Sequence, residues 1–148
     1  GEPFEARAEF LVGLRRRQSG SAPGKATALA LAAPEDGGHL GDEPLIEAAH
    51  PAIAGHAAGL CGVLKDGTAR LDAAQALYRF VEKEVRNEAN LGGPPSGAVA
   101  CLNKRAGDRA ARARLLAALL RSRGIPARVV QGLALGKGAE QPLHTWVE

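Results

Sequence analysis

Residues 107–148 constrain this chain more than any other stretch: GDRAARARLLAALLRSRGIPARVVQGLALGKGAEQPLHTWVE. Asp108 is placed to cap a helix that begins beside it. Gly124 supplies a C-terminal stop, and Pro126 prevents continuation. The pattern predicts a helix over 108–123 and a strand over 128–135. Gly136, Lys137, Gly138 and Pro142 mark a turn, and 144–148 reads as a second strand opening on His144. Such a unit folds by laying its helix on its own antiparallel strands.

At about 100° per residue, Leu115, Leu116, Leu119 and Leu120 form one apolar face of that helix. Arg114 and Arg121 are expected opposite, in solvent. Arg109 and Arg112 fall on or beside the apolar face, where a cation needs a partner or an open cleft. Arg109 also opposes the helix macrodipole, at a cost of roughly 0.3–1 kcal/mol. Helix stability therefore does not explain it. Two readings stand: an arginine that bends to water or pairs with Asp108, or a guanidinium set as an anion site. Arginine stays protonated, so it is neither a nucleophile nor a general base.

Upstream, residues 4–12 alternate as a half-buried strand, and 27–31 suggests its hairpin partner, with Arg15, Arg16 and Arg17 at a solvated tip between them. Residues 34–41 form a turn-rich linker. Pro44 is placed for the first turn of a helix, and Pro51 is expected to divide the region into two short helices over 44–49 and 52–64. Asp66 and Gly67 mark a turn. Leu71, Ala74, Leu77, Tyr78, Val81 and Val85 recur at helical spacing over 69–86, and 90–97 is a loop.

With aromatics at only 3% and apolar residues at 45%, the core must be built from Ala, Leu and Val, which favours helices. The length suits one domain. The division expected is a β segment and linker over 1–41, then a helical region over 42–148. A formal net charge of +3 does not imply nucleic acid. The basic stretch over 104–128 spreads its arginines around a helix and lacks aromatics to stack bases. No apolar run reaches the roughly 18–20 residues of a membrane span. The chain contains no methionine, so a processed product or excised fragment is expected. Among His39, His50, His56 and His144 no pair has the spacing of a helical zinc site, and there is no CxxC, so no metal and no cofactor are expected. Cys61 and Cys101 are a disulfide, two buried thiols, or one reactive thiol.

The run GDRAARARLLAALLRSRGIPARVVQG followed by HTWVE resembles the transglutaminase-like superfamily, which has a papain-like fold. The resemblance covers about residues 69–148. It implies an α+β fold: a central helix packed on a small antiparallel sheet, with an N-terminal β-hairpin and extra helices attached, and a sheet incomplete at its C-terminal edge. That family uses a cysteine at the helix N-terminus, where the dipole lowers the thiol pKa, a histidine base on the adjoining strand and an acid on the next. Mapped here, the cysteine position is Arg109, the histidine position is His144, and the acid lies beyond Glu148.

The run CLNKRAGDRAARARLLAALLRSRGIPARVVQGL is most similar to a bacterial group of inactive transglutaminase-like domains. These are fused to seven transmembrane helices and are often encoded near ATP-grasp peptide ligases. The resemblance implies a pseudoenzyme on the extracytoplasmic, periplasmic face of a membrane, next to transmembrane segments of its own parent. Its ligand would be a peptide or carboxylate, with Arg109, Asp108, His144, Arg112 and Trp146 as candidate contacts. The alternatives are a residual cysteine enzyme using Cys101 and a purely structural interaction module.

Overall fold

The computed structural model describes residues 39–62, 67–89, 93–133 and 143–148, all within one unit, Ala32–Glu148. The expected strands over 4–12 and 27–31, the arginine tip, most of the linker, Asp66 and the 136–142 turn lie outside the described residues. The helices are α1 (Pro51–Cys61), α2 (Gly67–Glu84), α3 (Ala98–Lys104) and α4 (Arg109–Ser122). The strands are β1 (Arg86–Asn87), β2 (Ala106–Gly107), β3 (Val129–Leu133) and β4 (Leu143–Val147). The fold is mixed helix and small sheet, with the central helix on an antiparallel pair, as expected. No helix among the described residues is long and apolar enough to cross a membrane.

The core is centred on α4, which packs against α1, α2, α3 and β4. Leu115 and Leu119 are fully buried, as is Leu77 from α2. Each such leucine contributes about 1.5–3 kcal/mol of transfer free energy. Ala111, Ala117 and Ala118 are also fully buried. Their small side chains let neighbouring helices approach α4 on several sides, so burial extends well beyond the leucine stripe.

Asp108 caps α4 as expected: its Oδ1 accepts the Ala111 N–H at 2.7 Å. At the other end Gly124 takes φ +70°, and its N–H donates to the Arg121 carbonyl at 2.9 Å. This left-handed turn suits glycine and stops the helix.

Arg121 is a correction. It is 4% exposed, not in solvent. Its Nε donates to the Ala127 carbonyl at 2.7 Å and its Nη1 to the Gly41 carbonyl at 2.8 Å. Its Nη2 lies 2.8 Å from Glu43 Oε1, off the line of a hydrogen bond, so that contact is an ion pair. The segment around residues 41–43 covers this side of α4, which no helical wheel contains.

The helix expected over 44–49 is absent. Pro44 and Leu45 instead form the corner of a tight turn, closed by reciprocal backbone bonds between Glu43 and Ile46. Leu45 has φ +69°, outside the helical region. Helix α1 begins at Pro51, where His50 Nδ1 accepts the Ala52 N–H at 3.2 Å, and it ends at Gly62 (φ +61°). On α2 the buried stripe is Ala73, Leu77, Phe80 and Val81, whereas Leu71 is 60% and Tyr78 54% exposed. Both share the helical spacing of Leu77 and Val81 but not their burial.

The parallel pair β1–β2 was not expected, and α3 takes the helical alternative in a segment around Cys101 that suits either a loop or an early helix. Gly97 has no side chain with which to cap α3. The Glu47 carboxylate does so from a distance, accepting from the N–H groups of Ala98 and Val99. Strands β1 and β2 are held by Arg86 N–H to the Arg105 carbonyl and Glu88 N–H to the Gly107 carbonyl, both 2.9 Å. This short clasp ties the end of α2 to the start of α4 and sets Asn87 opposite Gly107.

Candidate functional site

The first turn of α4 lies at the meeting point of the β1–β2 clasp and the β3–β4 ribbon. Asp108 is the N-cap and Arg109 the first helical residue. Arg109 is exposed. Two cavities open here. The first, about 500 Å³, is lined by Tyr78, Glu82, Arg109, Arg112, Leu116 and the stretch of β4 from Thr145 to Val147, among others. The second, about 440 Å³, is lined by Asn87, Ala89, Asp108, Arg109, Ala110, Gln131 and Thr145. Both are open clefts, not enclosed chambers.

Arg112, expected to need partners, has them. Its Nη2 donates to the Val81 carbonyl at 3.0 Å and more weakly to the Glu82 carbonyl at 3.4 Å. These carbonyls belong to the last turn of α2, where a cation also complements the dipole. Arg114 is similarly engaged by the Ser96 carbonyl at 3.0 Å.

His144 does not meet Arg109. In the ribbon, Gly132 pairs with His144, Val130 with Trp146, and Gln131 with Thr145. Val129 and Val147 pack on the core. Alternation then puts Gln131, Thr145 and Val147 on the α4 face and His144, Trp146 and Glu148 on the other. Contacts on that outer face agree. The Trp146 Nε1–H donates to Glu148 Oε1 at 3.1 Å. Arg128 forks onto Glu148 Oε2 through Nε (3.2 Å) and Nη2 (2.7 Å). The Trp146 ring crosses Gly132, where a Cβ would lie 2.9 Å from it. His144 is exposed and lines neither cavity.

Cys101 lies on α3 and is fully buried. Its Sγ is packed beneath the β2 backbone: a Cβ on Gly107 would stand 2.9 Å from it. Burial pushes the thiol up to about 11, opposed by Arg112 and reinforced by Asp108. Cys61 is part-exposed on α1, with its thiol directed at the Ala73 carbonyl (3.7 Å) and raised by burial. Both cysteines are free thiols, so the disulfide alternative falls.

The remaining histidines have local roles. His39 Nδ1 is 4.0 Å from Glu43 Oε1, and His50 caps α1. His56 rests on Phe80 with ring centroids 4.4 Å apart. Its pKa is lowered by burial and by Arg105, whose guanidinium lies 4.7 Å from the same Phe80 ring.

A helix whose first turn abuts an antiparallel ribbon is the arrangement that the Gly107–Glu148 motif anticipated, and a family model agrees: that of the transglutaminase-like superfamily matches residues 60–148. The chain belongs to the transglutaminase-like superfamily. No curated protein matches it. Among solved structures it is similar to the crystal structure of a "Putative Cysteine Protease" from Cytophaga hutchinsonii, with a TM-score of 0.62 and 21% identity. The match covers 74% of this chain and 36% of that one, so this chain spans about a third of that protein's length. At this identity the likeness is one of fold.

Within the transglutaminase-like fold, the sequence reading located Asp108, Arg109 and Arg112 beside a cavity, and the stretch of β4 containing Trp146 forms one wall. It missed Asn87, Gln131, Thr145 and Tyr78. Thr145 was within reach of the strand alternation, had the inward face of β4 been known. Asn87 carried no signal, because a two-residue parallel clasp leaves no periodicity.

Proposed function

We propose that this chain is a catalytically inactive transglutaminase-like domain that binds a ligand through a carboxylate, such as a peptide C-terminus. The observation that carries the reading is Arg109, an exposed guanidinium at the first residue of α4, facing two cavities at once. Its neighbour Asp108 spends one carboxylate oxygen on the helix cap. Arg112 is held by α2 carbonyls, which leaves Arg109 as the cation presented at this junction. A planar guanidinium takes a carboxylate in a bidentate fork.

Cysteine chemistry has little support at this site. The family's nucleophile position holds a residue that cannot attack. Cys101 is buried and its thiolate is disfavoured at neutral pH, whereas reactive cysteines are accessible and low in pKa. The resemblance of the Cys101–Leu133 run to membrane-fused bacterial domains supports a position on the extracytoplasmic face of a bacterial membrane, in a parent linked to ATP-grasp ligase systems. Calorimetry with short peptides on wild type and Arg109→Ala tests the binding. Binding that is lost on Arg109→Ala supports it; equal binding by both proteins, or none by either, overturns it.

A further inference from the structure

We propose that the ligand site has two compartments and selects a peptide that ends in a large, uncharged apolar residue. This rests on the reading of Arg109 as the carboxylate anchor. In a C-terminal residue the carboxylate, the side chain and the preceding amide diverge from one carbon. Arg109 borders both cavities, so a carboxylate held there leaves one cavity for each of the other two groups.

The cavities differ in chemistry. The first has Tyr78, Val81, Leu116 and Val147 in its walls, surfaces suited to an apolar side chain. The second has the carboxamides of Asn87 and Gln131 in its walls. Each carboxamide both donates and accepts, as a peptide group requires of its partners. Arg112 in the first cavity is already held by the α2 carbonyls, so the apolar walls set the selection, and a charged side chain laid against them loses its hydration. Asp108 in the second cavity disfavours a second carboxylate there.

The test is calorimetric titration of the whole chain with tripeptides that differ only in their last residue: Leu, Phe, Asp or Lys, and Leu as its C-terminal amide. Leu and Phe are expected to bind at least roughly tenfold tighter than Asp or Lys, the effect of burying a few methylenes. Tyr78→Ala, at an exposed position, should shrink that preference, and Gln131→Ala should weaken all the free acids alike. If all four acids bind within about twofold while the amide does not bind, the carboxylate reading stands and the two-compartment inference falls. If the amide binds as well as the acid, or Arg109→Ala binds as well as wild type, the carboxylate reading itself falls. Absence of binding by every peptide overturns both.

Discussion

Arg109 and Thr145 are the two residues shared by both cavities at the start of α4. Thr145, and not His144, is thus the β4 residue that borders both cavities. His144→Ala is expected to leave peptide affinity within about a factor of two. Thr145→Val, which keeps shape and removes one hydroxyl, is expected to weaken it about fivefold, the worth of one hydrogen bond. Titration calorimetry on the two variants checks the pair, and the reverse order would mean that β4 presents its other face.

The Arg121 guanidinium is a buried latch, its side chain 1% exposed. Arg121→Met keeps most of the volume but strips partners from the Gly41 and Ala127 carbonyls. A loss of roughly 2–3 kcal/mol is expected, from the cost of leaving such groups unsatisfied. Glu43 is half-exposed and returns to water, so it adds little. Urea unfolding midpoints measure this, with Arg114→Met as a control expected to cost less, since Arg114 makes a single carbonyl contact.

The Cys101 thiol should titrate at about 11. A thiol held protonated by burial stabilises the fold below its unfolded pKa, and that contribution is lost as pH rises towards the folded value. Stability should therefore fall between about pH 9 and 11, and fall less in Cys101→Ala. Thiolate absorbance and alkylation rates at neutral pH give independent checks. A Cys101 that labels as fast as free cysteine would revive the enzyme reading.

His56 behaves in the opposite sense. Its pKa is lowered by burial and by Arg105, and its Nε2 has no hydrogen-bond partner. The neutral ring is favoured in the fold, so its contribution is complete above the unfolded histidine pKa and lost as pH falls below about 6.5. Thermal melts from pH 7 to 5 should show a steeper decline for wild type than for His56→Leu. Equal slopes would remove His56 from the acid response.

Legibility in the sequence followed the range of the interactions. The α4 cap at Asp108, the stop at Gly124 and the β3–β4 strands are set by contacts within a few residues, and all were readable. The turn at Pro44 was misread because proline suits a helix start and a tight turn equally, and the choice is made by the bonds between Glu43 and Ile46. Tyr78 and Leu71 satisfied the helical spacing, yet α1 and α4 cover the neighbouring stripe and leave both side chains outside.

The candidate site divides in the same way. Arg109 at a helix start was visible as a residue type that helix stability does not explain. Its surroundings were not. Asn87 arrives through the parallel clasp with β2, and Gln131 and Thr145 through the ribbon register.

The sequence by itself determined the helix–ribbon unit and the cation at its start, because caps, stops and alternation act locally along the backbone. Only the tertiary structure decided that Thr145 faces that cation while His144 faces away. In a strand one residue of register reverses every side chain, and that register is chosen by Val129 and Val147 packing on a core that other elements supply.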